Sequence, residues 1–290
     1  MAPTGGLVPG QLTVGPVVRT YRLAPGPPGG PLLLALHGGG SGGEGMAALT
    51  GLGLRGPAAG FTVAFPDGWG HVWNDLRDGA PRLARRRGVD DAAFLAALTT
   101  HCAAALGTDP GRTFACGISN GALMAEALGR RGALGLAGLG LVAGPGTALA
   151  GQATPAPVRP ATVVFFSGTA DPLVPYDGGP IGALGRLLGR RGEEGGRGRA
   201  VGVEAAASAW AAAAGAAGPP QESVVPGAGL PVSVRSWTGP GGHWVERYRI
   251  EGGGHTWPGG PQYAPARLVG PVAPGLDATG ILLDRFTRAP

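Results

Sequence analysis

Arg112-Thr113-Phe114-Ala115-Cys116-Gly117-Ile118-Ser119-Asn120-Gly121-Ala122-Leu123-Met124 is the stretch whose reading decides the fold. A short apolar strand runs into a G-x-S-x-G turn and straight on into a helix-forming segment, Ala-Leu-Met-Ala-Glu-Ala-Leu. Such a strand–turn–helix lifts a serine hydroxyl clear of the end of a sheet. The two glycines leave room for the tight turn and for the helix to pack beside the strand. The start of the helix aims unpaired backbone N–H groups at negative charge forming beside Ser119.

The pattern is short, and 59 of the 290 residues are glycine, so alone it carries little weight. A second match, Gly39-Gly40-Ser41-Gly42-Gly43, sits in a glycine run with no helix-forming segment directly behind it. Ser41 therefore reads as a loop serine. Ser119 reads as a candidate nucleophile, with a buried turn serine as the alternative.

Working outward, apolar runs suited to buried parallel strands fall at Leu32–Leu36, Phe61–Phe65, Thr113–Gly117, Leu136–Val142 and Thr162–Phe166. Val17–Leu23 and Val232–Trp237 read as further, antiparallel strands, and Trp244–Ile250 as another of alternating character. Helical stretches lie between them at Asp90–Leu106, Ala122–Arg130, Val203–Ala214 and Asp277–Arg288. Strand alternating with helix predicts one α/β domain, a doubly wound, mostly parallel sheet with helices on both faces. Residues 1–16 read as a flexible N-terminal segment, and the Gly/Arg-rich stretch 178–199 as an exposed insertion.

Composition bounds the function without choosing it. The chain is 43% apolar and 14% charged, all 23 basic residues are arginine, and the net charge is +5. Most arginines are scattered; the two clusters, at 82–87 and 186–199, are not interleaved with aromatic residues. A stacking surface for nucleic acid is therefore not expected. No apolar run reaches the length of a membrane span, and Met1–Gly6 has no basic and apolar leader pattern. Cys102 and Cys116 read as small buried residues rather than a disulfide.

In a doubly wound sheet chemistry belongs at the carboxyl ends of the strands. There His37-Gly38-Gly39-Gly40 follows one run, Asp171 follows Thr162–Phe166, and His255 follows Trp244–Ile250. Ser119, Asp171 and His255 thus stand in the chain order Ser…Asp…His of an α/β-hydrolase triad. A serine hydroxyl needs an imidazole to take its proton, and the imidazole needs a carboxylate to fix its tautomer. Asp177 and Asp277 compete for the acid role, although Asp277 suits the cap of the last helix. His37, His71, His101 and His243 are weaker candidates for the base. His37 belongs to the glycine turn, His71 to a loop, His101 to a helix and His243 to the opposite end of the last strand. Asp90 and Asp91 read as helix-opening residues without chemistry.

Leu36-His37-Gly38, Pro66-Asp67-Gly68, Val89-Asp90-Asp91, Gly117-Ile118-Ser119-Asn120-Gly121, Gly168-Thr169-Ala170-Asp171 and Gly254-His255-Thr256-Trp257-Pro258-Gly259 come in sequence. Together they resemble the polyhydroxybutyrate depolymerase-like esterases, relatives of feruloyl and acetylxylan esterases. The resemblance implies a serine carboxylester hydrolase, often extracellular, that uses no metal or organic cofactor. It carries the nucleophile onto Ser119, the acid onto Asp171 and the base onto His255.

The oxyanion donors expected are the backbone N–H of Asn120 and that of Gly38 or Gly39. Trp69, Trp73 and Trp257 either wall a substrate site or pack around the rim. The partner expected is an ester, in the open-rim case a polyester surface, acted on by a monomer.

Overall fold

The computed structural model describes residues 6–75, 89–148, 155–182 and 198–290. The arginine cluster at 82–87, and residues 183–197 of the expected insertion with most of the second cluster, lie outside the described residues.

Ten strands form one sheet. They are β1 (Val8–Val14), β2 (Val17–Ala24), β3 (Pro31–Leu36), β4 (Thr62–Pro66), β5 (Asp109–Ile118), β6 (Gly138–Val142), β7 (Thr162–Gly168), β8 (Gln221–Val224), β9 (Val232–Thr238) and β10 (Trp244–Ile250). Their order across the sheet is β1-β2-β4-β3-β5-β6-β7-β10-β9-β8. From β4 to β10 every pairing is parallel. The outer pairings, β1–β2, β2–β4, β8–β9 and β9–β10, are antiparallel.

Strand β3 shows why the apolar runs are unbroken. Leu32, Leu34 and Leu36 enter the core on one face, Leu33 and Ala35 the core on the other, and all are fully buried. A strand covered on both faces has no solvent side to mark with polar residues. One face is covered by α3 (Asp91–Leu106), α4 (Asn120–Arg130) and α5 (Val203–Ala213). The other takes α1 (Gly43–Thr50), α2 (Leu52–Ala58) and α7 (Ala278–Thr287). The short α6 (Ala266–Val269) lies in the loop after β10.

Two caps follow from the sequence. The Asp90 carboxylate accepts from Ala93 N–H at 2.8 Å, opening α3, and Gly107 closes it in the left-handed region. Asp277 caps α7 by accepting from Gly280 N–H at 3.0 Å, and it also holds Arg55 through two bonds of 2.7 and 2.6 Å.

Three expectations need correction. Residues 8–14 are a paired edge strand, not part of a free N-terminal segment. A helix does follow Ser41, because α1 begins at Gly43. Asp91 does more than open α3: buried, it pairs with Arg19 at 2.6 Å and accepts from Asn74 N–H at 2.7 Å. It thereby ties β2 and the loop after β4 to the helix. At the foot of the insertion, Gly179–Pro180 pairs antiparallel with Arg199–Ala200, which also pairs with Thr147–Ala148.

Cys102 and Cys116 are free and buried. Burial pushes the Cys102 thiol up to about 12 and raises that of Cys116 as well. Among the described residues no helix is long and apolar enough to cross a membrane.

Candidate active site

Ser119 sits between β5 and α4 with φ 57° and ψ −123°, a conformation that costs a non-glycine residue about 1–3 kcal/mol. The surrounding backbone enforces it. A methyl group on Gly121 would stand 2.2 Å from the Leu36 carbonyl oxygen, and one on Gly117 would stand 2.4 Å from the Gly121 carbonyl carbon. Both glycines of the motif are thus required by close approach of backbone to backbone. Ser119 N–H donates to the Val142 carbonyl at 2.9 Å, which anchors the turn to β6.

Asp171 and His255 come from neighbouring loops. Strands β7 and β10 are parallel neighbours, and the loops leaving them are bonded together. Thr169 N–H donates to the Ile250 carbonyl at 2.9 Å, and Ala170 N–H to that of Gly253 at 3.0 Å. A methyl group on Gly168 would lie 2.1 Å from the Gly253 oxygen, so only glycine allows this contact. The result brings His255 Nδ1 to 2.7 Å from Asp171 Oδ2, with the His255 and Asp171 side chains 4% and 2% exposed. The other carboxylate oxygen accepts Leu173 and Val174 N–H groups at 2.8 and 2.9 Å. With Nδ1–H donating to the carboxylate, Nε2 is left free to accept a proton. The His255 main chain is held by the Val269 carbonyl at 2.5 Å and by the Tyr263 hydroxyl, which donates to the His255 carbonyl at 2.7 Å.

On the opposite side of the elbow lies the glycine loop. A methyl group on Gly38 would lie 3.6 Å from Ser119 Cβ, so this residue faces Ser119. Gly39 is more open, its nearest neighbours being Asn120 Cβ and Val72 Cγ1, both at 3.9 Å. His37 is buried beneath the loop, its Nδ1 2.8 Å from the Gly38 carbonyl and its Nε2 accepting Gly68 N–H at 2.9 Å. A carbonyl can only accept, so the proton is on Nδ1 and the ring is neutral. Burial pushes its pKa down, opposed by the Gly38 bond.

The predicted aromatic wall is not there. Trp73 and Trp257 are 0% and 1% exposed, and each indole N–H is spent internally, on the His37 carbonyl (2.9 Å) and on Thr279 Oγ1 (3.0 Å). Only Trp69 is partly exposed. It lines a cleft of about 440 Å3 with Thr20, Arg22, Glu44, Asp67 and His71, to which Ser119, Asp171 and His255 do not contribute. The aromatic that does stand beside His255 is Tyr263, 48% exposed and anchored through its hydroxyl. Nothing in its local sequence, Pro261-Gln262-Tyr263-Ala264-Pro265, marks it. Of the competing residues, Asp277 is occupied with Arg55 and the α7 cap, and His101 packs against Tyr21 with ring centres 5.9 Å apart. Among the described residues no three His, Cys, Asp or Glu side chains gather as a metal site would require.

This strand order, with a serine elbow after β5, a carboxylate after β7 and a histidine after β10, defines an α/β-hydrolase. The fold likeness agrees. The acetyl xylan esterase from Aspergillus awamori superposes with a TM-score of 0.53 over 86% of this chain and 94% of its own, at 14% identity. No family model matches the sequence. A relative from Nocardia uniformis subsp. tsuyamanensis, named "Putative esterase NocK", is 32% identical over 268 residues, 88% of this chain and 76% of the relative. The chain belongs to that esterase family and is a hydrolase of esters.

Proposed function

We propose that this esterase works by serine acyl transfer on short hydroxyalkanoate esters and oligomers. The observation that carries the mechanism is the buried His255–Asp171 pair at the same sheet end as the strained Ser119 turn. His255 Nε2 takes the Ser119 proton as Oγ bonds to the ester carbonyl carbon. The resulting oxyanion accepts from the backbone N–H of Asn120 and from Gly38 or Gly39; each such donor contributes about 3 kcal/mol in the transition state. As the C–O bond breaks, His255 returns the proton to the leaving alcohol. A water then gives His255 a proton as its oxygen bonds to the acyl carbon, and His255 returns that proton to Ser119 Oγ as the acyl C–Oγ bond breaks and frees the acid. Asp171 keeps the imidazole in the required tautomer throughout.

The substrate class rests on the motif resemblance and on a site edge with Tyr263 as its exposed aromatic. With Trp73 and Trp257 buried, nothing supports a broad aromatic platform for polymer, so soluble oligomers are the preferred form. The proposal includes a monomer and an extracellular setting, the latter by resemblance alone.

The test is hydrolysis of 3-hydroxybutyrate oligomers and methyl ferulate side by side, with Ser119→Ala as blank. Oligomer cleavage above the blank supports the proposal. Ferulate preference moves the substrate to aromatic acyl esters, and full turnover by Ser119→Ala overturns the mechanism.

A further inference from the structure

We propose that Trp73 is a positioning residue that holds the two halves of the oxyanion hole in register. This rests on the serine mechanism above. Those halves come from separate parts of the chain, the Gly38–Gly39 turn after β3 and the first residue of α4, Asn120. A hydrogen-bonded chain joins them, and every link passes through Trp73 or the histidine beneath it.

The first link is the Asn120 side chain. Its Oδ1 accepts Trp73 N–H at 2.7 Å, while its Nδ2 donates to the Trp73 carbonyl at 3.1 Å and to Asp75 Oδ2 at 2.7 Å. The amide thus clamps both main-chain groups of Trp73, and the carboxylate on Nδ2 fixes which way round it sits. The second link is the indole, whose N–H donates to the His37 carbonyl at 2.9 Å. The third is the His37 ring, which donates from Nδ1 to the Gly38 carbonyl and is held in turn by Gly68 N–H.

Peptide planarity turns these anchors into aim. In a trans peptide the C=O of one residue and the N–H of the next point in opposite directions. The chain has no cis peptide among its described residues. Holding the His37 carbonyl toward the indole therefore points Gly38 N–H the other way. Holding the Gly38 carbonyl toward the imidazole does the same for Gly39 N–H. Gly38 already faces Ser119, so the donors are aimed before substrate arrives, which is where electrostatic catalysis gains most. The environment suits the task. Trp73, His37, Asn120 and Asp75 are all at most 6% exposed, and the indole and imidazole rings pack with centres 5.0 Å apart. Bonds in such a dry setting resist exchange with water.

Trp73→Phe removes the indole N–H while keeping a ring in the space. Asn120→Ala removes the clamp while keeping the backbone donor of residue 120. Each variant should lose tenfold or more in kcat with KM for the same ester within about twofold. Affinity for a trifluoromethyl ketone, whose adduct with Ser119 carries the oxyanion, should fall by the same factor. The pH profile of kcat/KM should keep its shape. If either folded variant keeps wild-type kcat, or loses kcat while holding the ketone as tightly as wild type, the positioning role is wrong. Should Trp73→Phe fail to fold, Asn120→Ala alone decides. An active Ser119→Ala enzyme would instead remove the mechanism on which the role depends.

Discussion

The chain contains the same five-residue pattern twice, and the two copies behave differently. Gly39-Gly40-Ser41-Gly42-Gly43 and Gly117-Ile118-Ser119-Asn120-Gly121 both follow a parallel strand, and both lead into a helix. At the second, strand and helix are separated by Ser119 alone, and the serine takes the strained φ of 57°. At the first, the chain runs six residues from the end of β3 to the start of α1, and Ser41 is not among the described residues with positive φ. The final glycine is equally crowded in both, since a methyl group on Gly43 would lie 2.3 Å from the Phe65 carbonyl and one on Gly121 2.2 Å from that of Leu36. The leading glycine is not: a methyl group on Gly39 would meet nothing closer than 3.9 Å, whereas Gly117 abuts the Gly121 backbone. A glycine-bounded serine becomes an elbow when both glycines are forced by backbone contact. The other copy instead follows the turn whose Gly38 faces Ser119.

The comparison breaks most directly at the serines. Ser119→Ala should lower kcat by about a million-fold, whereas Ser41→Ala should leave it within about twofold of wild type. Initial rates on a soluble ester check both, and reversed sensitivities would exchange the roles of the two turns. Next in size, Asp171→Asn should lower kcat by about ten-thousand-fold by upsetting the His255 tautomer. Activity near wild type would transfer the acid role to Asp177. Smaller are the backbone contacts. Gly121→Ala and Gly43→Ala should each cost about 3 kcal/mol of stability, the upper end of what overpacking costs. Gly39→Ala should leave the urea midpoint unchanged. Similar midpoints for all three would show that the crowding at Gly121 and Gly43 is relieved at no cost.

These contrasts also show what the sequence can carry. The central strands were legible because burial on both faces leaves an unbroken apolar run, and the Asp171–His255 pair because Asp171 lies just past such a run and His255 just past the alternating strand β10. Helix α1 was not legible, since Gly43-Glu44-Gly45 is a poor helix former and the helix is held by Met46 and Ala47 packing into the core. Helix α2 carries Pro57 and two glycines and is held in the same way by Leu52. Strand β1 lies at an edge, and its pattern of burial appears only once Leu12 and Val14 meet the core beside β2. Trp73 and Trp257 pack inward instead of walling a site for a different reason. Their loops were placed correctly at the sheet end, but side-chain direction depends on partners far along the chain. Trp73 turns inward to the carbonyl of His37, and Trp257 to the hydroxyl of Thr279.

The last and smallest effect should separate the two turns by pH. No titratable side chain lies in Gly117–Gly121, but the Ser41 loop begins at His37, whose pKa is pushed down chiefly by burial. Protonation would put a hydrogen on Nε2 directly opposite Gly68 N–H, donor against donor. As pH falls below the ordinary histidine value of about 6.5, the unfolded chain takes up a proton that folded His37 refuses. Stability is therefore present above that value and is lost on acidification, by at most about 1.4 kcal/mol per pH unit for this one proton. His37→Gln should be less stable at pH 7.5 yet show a flatter decline of the urea midpoint between pH 6.5 and 5. His243, also pushed down by burial and then by Arg159, sits at the other end of the sheet and supplies the control. His243→Gln should remove only its own share of the slope and leave that of His37. Parallel declines in wild type and His37→Gln would mean that acid reaches the fold elsewhere, and that the imidazole under the glycine loop accepts its second proton without strain.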